Sequence, residues 1–185
     1  MKPAMADAAA LIAQIAAAFA DVRHPGADAL TDSAYGEEPA ALVEAFAALT
    51  DWTDLDAGFL DLAPAGWATA LAFFSAPALR FYQPAYMIAD LRGELAHCDP
   101  VTRLCLFVTP QGGARRLAAV FGGGTMGERA REDFAIFTPV EVRAIVAYLW
   151  WKLDQNTGDP IIEQALEYYW LEREAESGDR AGAPD

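Results

Sequence analysis

Thr138-Pro-Val-Glu-Val-Arg-Ala-Ile-Val-Ala-Tyr-Leu-Trp-Trp-Lys-Leu-Asp154 is the stretch whose reading decides the fold. Thr138 is placed to cap a helix, Pro139 suits its first position, and Glu141 can reach back to the cap amide. Val142, Ile145, Val146, Leu149 and Leu153 recur at helical spacing and define one face. The opposite face carries Ala144, Ala147, Tyr148 and Trp151 instead of charge. A helix apolar nearly all round is covered on more than one side, so the segment reads as the hub of a helical core.

Downstream, Asp159-Pro160 starts a last helix to about Glu174, with Ile162, Ala165, Leu166 and Tyr169 inward. The connection Gln155–Gly158 is short enough to fold it back antiparallel to the hub. Upstream, Asp7–Ala20 reads as a first helix with a stripe of Ala8, Leu11, Ile12, Ile15 and Phe19. Glu37–Leu49 follows with Leu42, Ala45, Phe46 and Leu49 inward. After a turn carrying Trp52, Asp54–Leu62 reads as a short helix broken by Pro64-Ala-Gly66. Trp67–Phe74 is compatible with a helical turn or a buried extended piece. Ser75 caps a helix over Ala76–Leu95, kinked near Tyr82–Tyr86 by Pro84. Val101–Val108 reads as helix with strand as its competitor. Pro110–Glu132, with Gly112-Gly113 and Gly122–Gly124, reads as a mobile loop or a hairpin packed on the surface. The pattern Phe74-Ser75 with Arg80 returns in Phe137-Thr138 with Arg143, which shared helix-start chemistry explains without a duplication.

The expected architecture is therefore all-α: a single irregular helical bundle of six to seven helices over residues 1–176, with a disordered tail at 177–185. A hydrophobic fraction of 54% in 185 residues supplies the core. Lys2 ahead of an alanine-rich run, with Ala18-Phe19-Ala20, imitates a secretory leader. Asp7 and Gln14 interrupt that run, and its stripe is that of an amphipathic helix belonging to the domain. No run is apolar and long enough to suggest a membrane span.

With 13 Lys and Arg against 27 Asp and Glu, the formal net charge is −14. That field repels phosphate backbones and anionic lipid, disfavouring nucleic-acid and membrane partners, and it favours a basic protein partner. Cys98 and Cys105 are too far apart on a helix for a disulfide and match no zinc spacing, so they read as buried free thiols of a reducing, cytoplasmic protein. No phosphate loop, dinucleotide fingerprint, nucleophile elbow or paired-histidine metal motif is present, and no cofactor is implied. Two places could hold a ligand. Asp21 stands three residues before His24, the arrangement of an oriented imidazole. Arg80, Tyr82 and Tyr86 surround the Pro84 break, where an arginine could take an acidic group. Structural readings compete at both: local backbone bonding for His24, and core packing for the tyrosines.

Phe19-Ala-Asp21-Val22 with Pro25-Gly26, Arg80-Phe-Tyr-Gln-Pro-Ala-Tyr86, Phe137-Thr-Pro139 and Glu163 with Ala165-Leu-Glu-Tyr-Tyr-Trp170 appear in that order. Together they resemble an uncharacterised bacterial family of small cytosolic helical proteins, a domain of unknown function. The segment Arg115–Phe121 between glycine runs departs from it. The resemblance implies a helical domain that includes Ala8–Ala20 and carries over no catalytic role. Three functional readings stay open: a non-catalytic acidic interaction module, of which an immunity- or antitoxin-like role is one form; a small enzyme or ligand binder using Asp21, His24, Arg80, Tyr82 and Tyr86; and a structural homo-oligomer presenting Trp151 or Trp170.

Overall fold

A computed structural model describes residues 7–33, 36–62, 70–119 and 122–181, with side chains through Glu176. The helices in chain order are α1 (Ala8–Phe19), α2 (Glu37–Phe46), α3 (Ala57–Leu60), α4 (Ala70–Phe73), α5 (Ala76–Leu91), α6 (Pro100–Cys105), α7 (Pro110–Gly113), α8 (Met126–Phe134), α9 (Pro139–Gln155), α10 (Pro160–Ala165) and α11 (Leu171–Ala181). Among the described residues there are no strands, only isolated bridges joining Thr31 to Phe74 and Arg116 to Thr125. The all-α expectation holds. Of the two segments for which an extended form competed, the described residues 70–73 and 101–105 are helical, Phe74 forms an isolated bridge and Leu106–Val108 a 3₁₀ turn. The break expected at Pro64–Gly66, the start of the Trp67–Phe74 segment and the last residues of the expected tail lie outside the described residues.

The chain packs as two compact units. One comprises the residues up to Ala18 and those from Val101 onward; the other is Phe19–Pro100.

In the first unit, α9 begins as its sequence dictates. The Thr138 amide donates to Glu141 Oε2 at 2.8 Å, and the Thr138 side chain accepts from the Glu141 amide, closing a capping box. Val142, Ala144, Ile145, Val146, Tyr148, Leu149 and Leu153 are all buried. The last helix packs on α9. Arg173 Nη2 donates to the carbonyl of Phe137, just ahead of α9, so α11 returns to the start of α9 and the pair is antiparallel. Between α10 and α11, Leu166–Trp170 form one π-helical turn, a single-residue insertion that re-aims the side chains after it. Trp170 is completely buried: its indole donates to the Leu104 carbonyl at 3.0 Å, and its ring lies 5.1 Å from that of Phe134. It therefore offers no apolar surface to a second copy.

Helix α8 was not legible in the 110–132 stretch. Its residues, Met-Gly-Glu-Arg-Ala-Arg-Glu-Asp-Phe, are mostly polar, and their helical stripe is only Met126, Ala130 and Phe134. Its start signal is complete nonetheless, with Thr125 and Glu128 forming a second capping box. The hairpin reading holds for the residues just before it. The Leu117 amide donates to the Gly124 carbonyl and the Met126 amide to that of Arg115. In α7, ahead of that hairpin, Gly112 is obligatory, because a Cβ would overlap the Leu106 carbonyl. Helix α11 also continues to Ala181, past the end expected near Glu174. No proline interrupts the chain before Pro184, so the helix has no steric reason to stop earlier.

In the second unit the dominant element is α5. Every residue from Phe81 to Ala89 is buried, the longest such run among the described helices. The Ser75 side chain caps it, accepting from the Ala78 amide, and the Ser75 hydroxyl also donates to the Ala29 carbonyl. The helix passes through Pro84 and stops at Leu91, short of the expected Leu95. Gly93, at φ 71°, ends it: its amide donates to the Asp90 carbonyl and that of Glu94 to the Ala89 carbonyl, a Schellman closure requiring a left-handed residue.

One ion pair lies inside the first unit. Arg103 Nη2 meets Asp133 Oδ2 at 2.7 Å beneath the Phe134 ring, and the half-exposed Arg129 meets the other Asp133 oxygen at 3.0 Å. Removing one partner of such a pair leaves a buried charge poorly compensated. Arg103→Met is expected to lower the unfolding free energy by about 3 kcal/mol in urea denaturation, with the m-value unchanged.

Candidate functional site

The sequence places its candidate ligand residues on the turn after α1 and on the Pro84 region of α5. The structure joins His24 and Tyr82: the imidazole Nε2 lies 3.0 Å from the Tyr82 hydroxyl. That hydroxyl is also 3.0 Å from the carbonyls of Phe46 and of Leu49, at the end of α2. On the far side of the ring, Nδ1 accepts from the Gly26 amide at 3.1 Å. These contacts fix every proton. Nδ1 is an acceptor, so Nε2 carries the hydrogen and donates it to Tyr82, whose own proton goes to the carbonyls. Burial lowers the His24 pKa and raises that of Tyr82, which keeps both groups neutral at pH 7.

The surroundings are those of a core. The Tyr82 ring is stacked on Phe74 at 4.9 Å and met edge-on by Phe46 and Phe81 at 5.1 and 4.8 Å. Tyr82 and Tyr86 are both 0% exposed. Of the remaining candidates, Asp21 is exposed and Arg80 is half-buried. The network thus ties three backbone segments together: the turn before α2, the end of α2, and α5. It leaves the Tyr82 hydroxyl no proton for a ligand.

Two polar groups on α5 have no partner among the described residues. Both ends of the Gln83 amide and the Tyr86 hydroxyl are buried without a hydrogen bond. They stand three residues apart, on one helix face, flanking Pro84. The sequence shows Gln83 inside a run of buried types, but no pattern marks it as unsatisfied.

Cys98 and Cys105 are buried free thiols, as expected. Burial, aided by the charges of Asp61, Asp99 and Asp90, pushes the Cys98 thiol up to about 12, so it is protonated and unreactive at neutral pH. Asp61, unremarked in the sequence, organises that corner. Its carboxylate accepts from the amides of Ala96, His97 and Cys98 at 2.7, 2.7 and 2.6 Å. Burial raises its carboxyl, and the amides of Ala96, Cys98 and His97 more than offset that, leaving it below its ordinary value. Among the described residues no three His, Cys, Asp or Glu side chains converge to hold a metal, and no helix is long and apolar enough to cross a membrane.

A second feature was missed although it lies open in the sequence. From His24 to Leu79 there is no lysine or arginine, while Asp28, Asp32, Glu37, Glu38, Glu44, Asp51, Asp54, Asp56 and Asp61 all fall in that interval. All of these except the half-buried Asp61 are exposed. Counting charge over the whole chain hid the segregation. The residues outside the described set in this interval are uncharged, so every charged side chain from Pro25 to Leu79 is a carboxylate.

Two substitutions test these assignments. Tyr82→Phe removes the hydroxyl shared by the Leu49 carbonyl and His24, and is expected to cost about 2 kcal/mol in chemical denaturation. Gln83→Met replaces an unsatisfied amide by an apolar side chain of similar shape, and is expected to raise the unfolding free energy by about 1 kcal/mol. A loss of that size instead would mean the amide has a partner.

No curated protein and no solved structure matches the chain. The model of one family spans residues 7–174, from the first residue before α1 into α11, and so includes the His24–Tyr82 network, the carboxylate-only stretch and the antiparallel α9–α11 pair. The chain belongs to that family, a family of unknown function designated DUF6714.

Proposed function

We propose that this chain is a non-catalytic interaction module that binds a basic protein partner through the carboxylate-only stretch of its second unit. An immunity- or antitoxin-like role, neutralising a basic protein, is the form of that activity which fits the charge. The observation that carries the reading is the segregation itself: nine carboxylates and no lysine or arginine between His24 and Leu79. A surface of one sign steers an oppositely charged protein to it and accelerates the encounter. The candidate ligand residues support the same reading from the other side, because the Tyr82 hydroxyl is committed to His24 and two carbonyls. Two buried free thiols suit a reducing compartment such as the bacterial cytoplasm, where this reading places the protein.

Helix α2 presents Glu37, Glu38 and Glu44 to solvent at the centre of the stretch. The test is affinity capture from the native cell at low salt, with the wild type and with Glu37→Gln/Glu38→Gln/Glu44→Gln. A basic protein is expected on the wild type, released when salt is raised to about 0.5 M and depleted at least severalfold on the variant. Recovery of nothing, or of partners indifferent to both salt and the three carboxylates, overturns the reading. Circular dichroism establishes that the variant is folded.

A further inference from the structure

We propose that His24 is a pH-sensitive latch, whose protonation releases residues 22–26 from α5 while the rest of the fold stands. The geometry admits the neutral ring alone. Nδ1 accepts from the Gly26 amide, so a proton placed on Nδ1 would point at another donor and break that bond. The 3.0 Å bond from Nε2 to Tyr82 is the ring's other polar tie, and it cannot compensate, because Nε2 already carries a hydrogen in the neutral form.

Among the described residues no carboxylate is paired with the ring to hold it as a cation. From α5, Phe81 and Tyr82 meet it nearly edge to face, at centroid distances of 5.2 and 6.1 Å, and Tyr82 is the titratable one. From the end of α2, the carbonyls of Phe46 and Leu49 reach the Tyr82 hydroxyl. On its own segment the charged side chains are Asp21 and Arg23, both exposed. Burial is what moves the His24 pKa, downward.

The sign follows. A released His24 takes its proton near the ordinary value of 6.5, and the held one takes it at lower pH. The latch is fully set above pH 6.5 and weakens as the pH falls through that value, because the released form binds the proton better. Gly26, with φ 91°, is the residue whose backbone turns the amide toward Nδ1, and a Cβ there would meet no other atom. Release of the segment therefore breaks a polar tie without unpacking a side chain at that position.

NMR on the intact chain tests this between about pH 7.5 and 5. The His24 ring resonances and the hydrogen-exchange protection factor of the Gly26 amide are followed together, with far-UV circular dichroism as the measure of global fold. The expected result is a fall of about tenfold or more in Gly26 protection, with the midpoint of His24 titration and an unchanged dichroism spectrum. In His24→Gln, which cannot titrate, protection is expected to stay level across the range. Three results overturn the proposal: His24 titrates while Gly26 protection holds, His24 stays neutral throughout, or dichroism is lost with the same midpoint. If the glutamine variant does not hold the segment at all, the wild-type titration alone decides.

Discussion

The hydroxyl of Tyr82 lies among the rings of His24, Phe46, Phe74 and Phe81, where an unpaired phenol would cost as much as several apolar contacts stabilise. Its three partners remove that cost: the Phe46 carbonyl is the last of α2, while the Leu49 carbonyl and the His24 ring come from chain outside the helices. The end of α2 supplies two carbonyls, which need a donor once the helix has stopped. The turn after α1 supplies an imidazole whose other nitrogen is held by Gly26. A single buried oxygen thus sets where two irregular segments lie along α5. The aromatic packing contributes most of the burial, but it is non-directional and would tolerate other arrangements.

Charge is used in two opposite ways. Arg103 and Asp133 are buried together, and Asp61 is spent on three amides, so each is fixed by specific partners. The carboxylates of the second unit are held outside, and several of them do no more locally than cap a turn, as Asp51 and Asp56 do. Capping a turn does not require the exclusion of every basic residue across the whole stretch.

Much of the fold was legible because helical periodicity and capping are local. Thr138 and Glu141, Ser75, and Asp159 each cap the helix they were expected to cap. Of the stripe Ala8, Leu11, Ile12, Ile15 and Phe19, the residues Leu11, Ile15 and Phe19 are buried and Ala8 and Ile12 half-buried, while Ile162, Ala165, Leu166 and Tyr169 are all buried. Helix α8 escaped because its residues are mostly charged and it follows a glycine run, although Thr125 and Glu128 signal its start and Met126, Ala130 and Phe134 keep helical spacing. The end of α5 escaped for a different reason: Leu95 continues an apolar pattern, while Gly93 ends the helix through its backbone. Enclosure was the harder quantity. The all-apolar α9 looked like the hub, yet the most completely covered helix is α5, whose tyrosines, glutamine and proline dilute its apolar signal.

The sequence by itself determined that this chain is helical, where most helices begin, which faces they bury and that its surface is acidic. Each of these depends on neighbours within a turn or two, or on composition, and so is written locally. The tertiary structure alone decided that His24 meets Tyr82 across 58 positions, that Trp170 reaches Leu104, and that Asp61 gathers the amides at 96–98. Those pairings are set by the return of distant backbone to one place, and no spacing along the chain encodes them. The stretch Thr138–Asp154 shows the division most plainly. Its caps and faces were readable residue by residue, while its place beside α11 is visible only where Arg173 reaches back to Phe137.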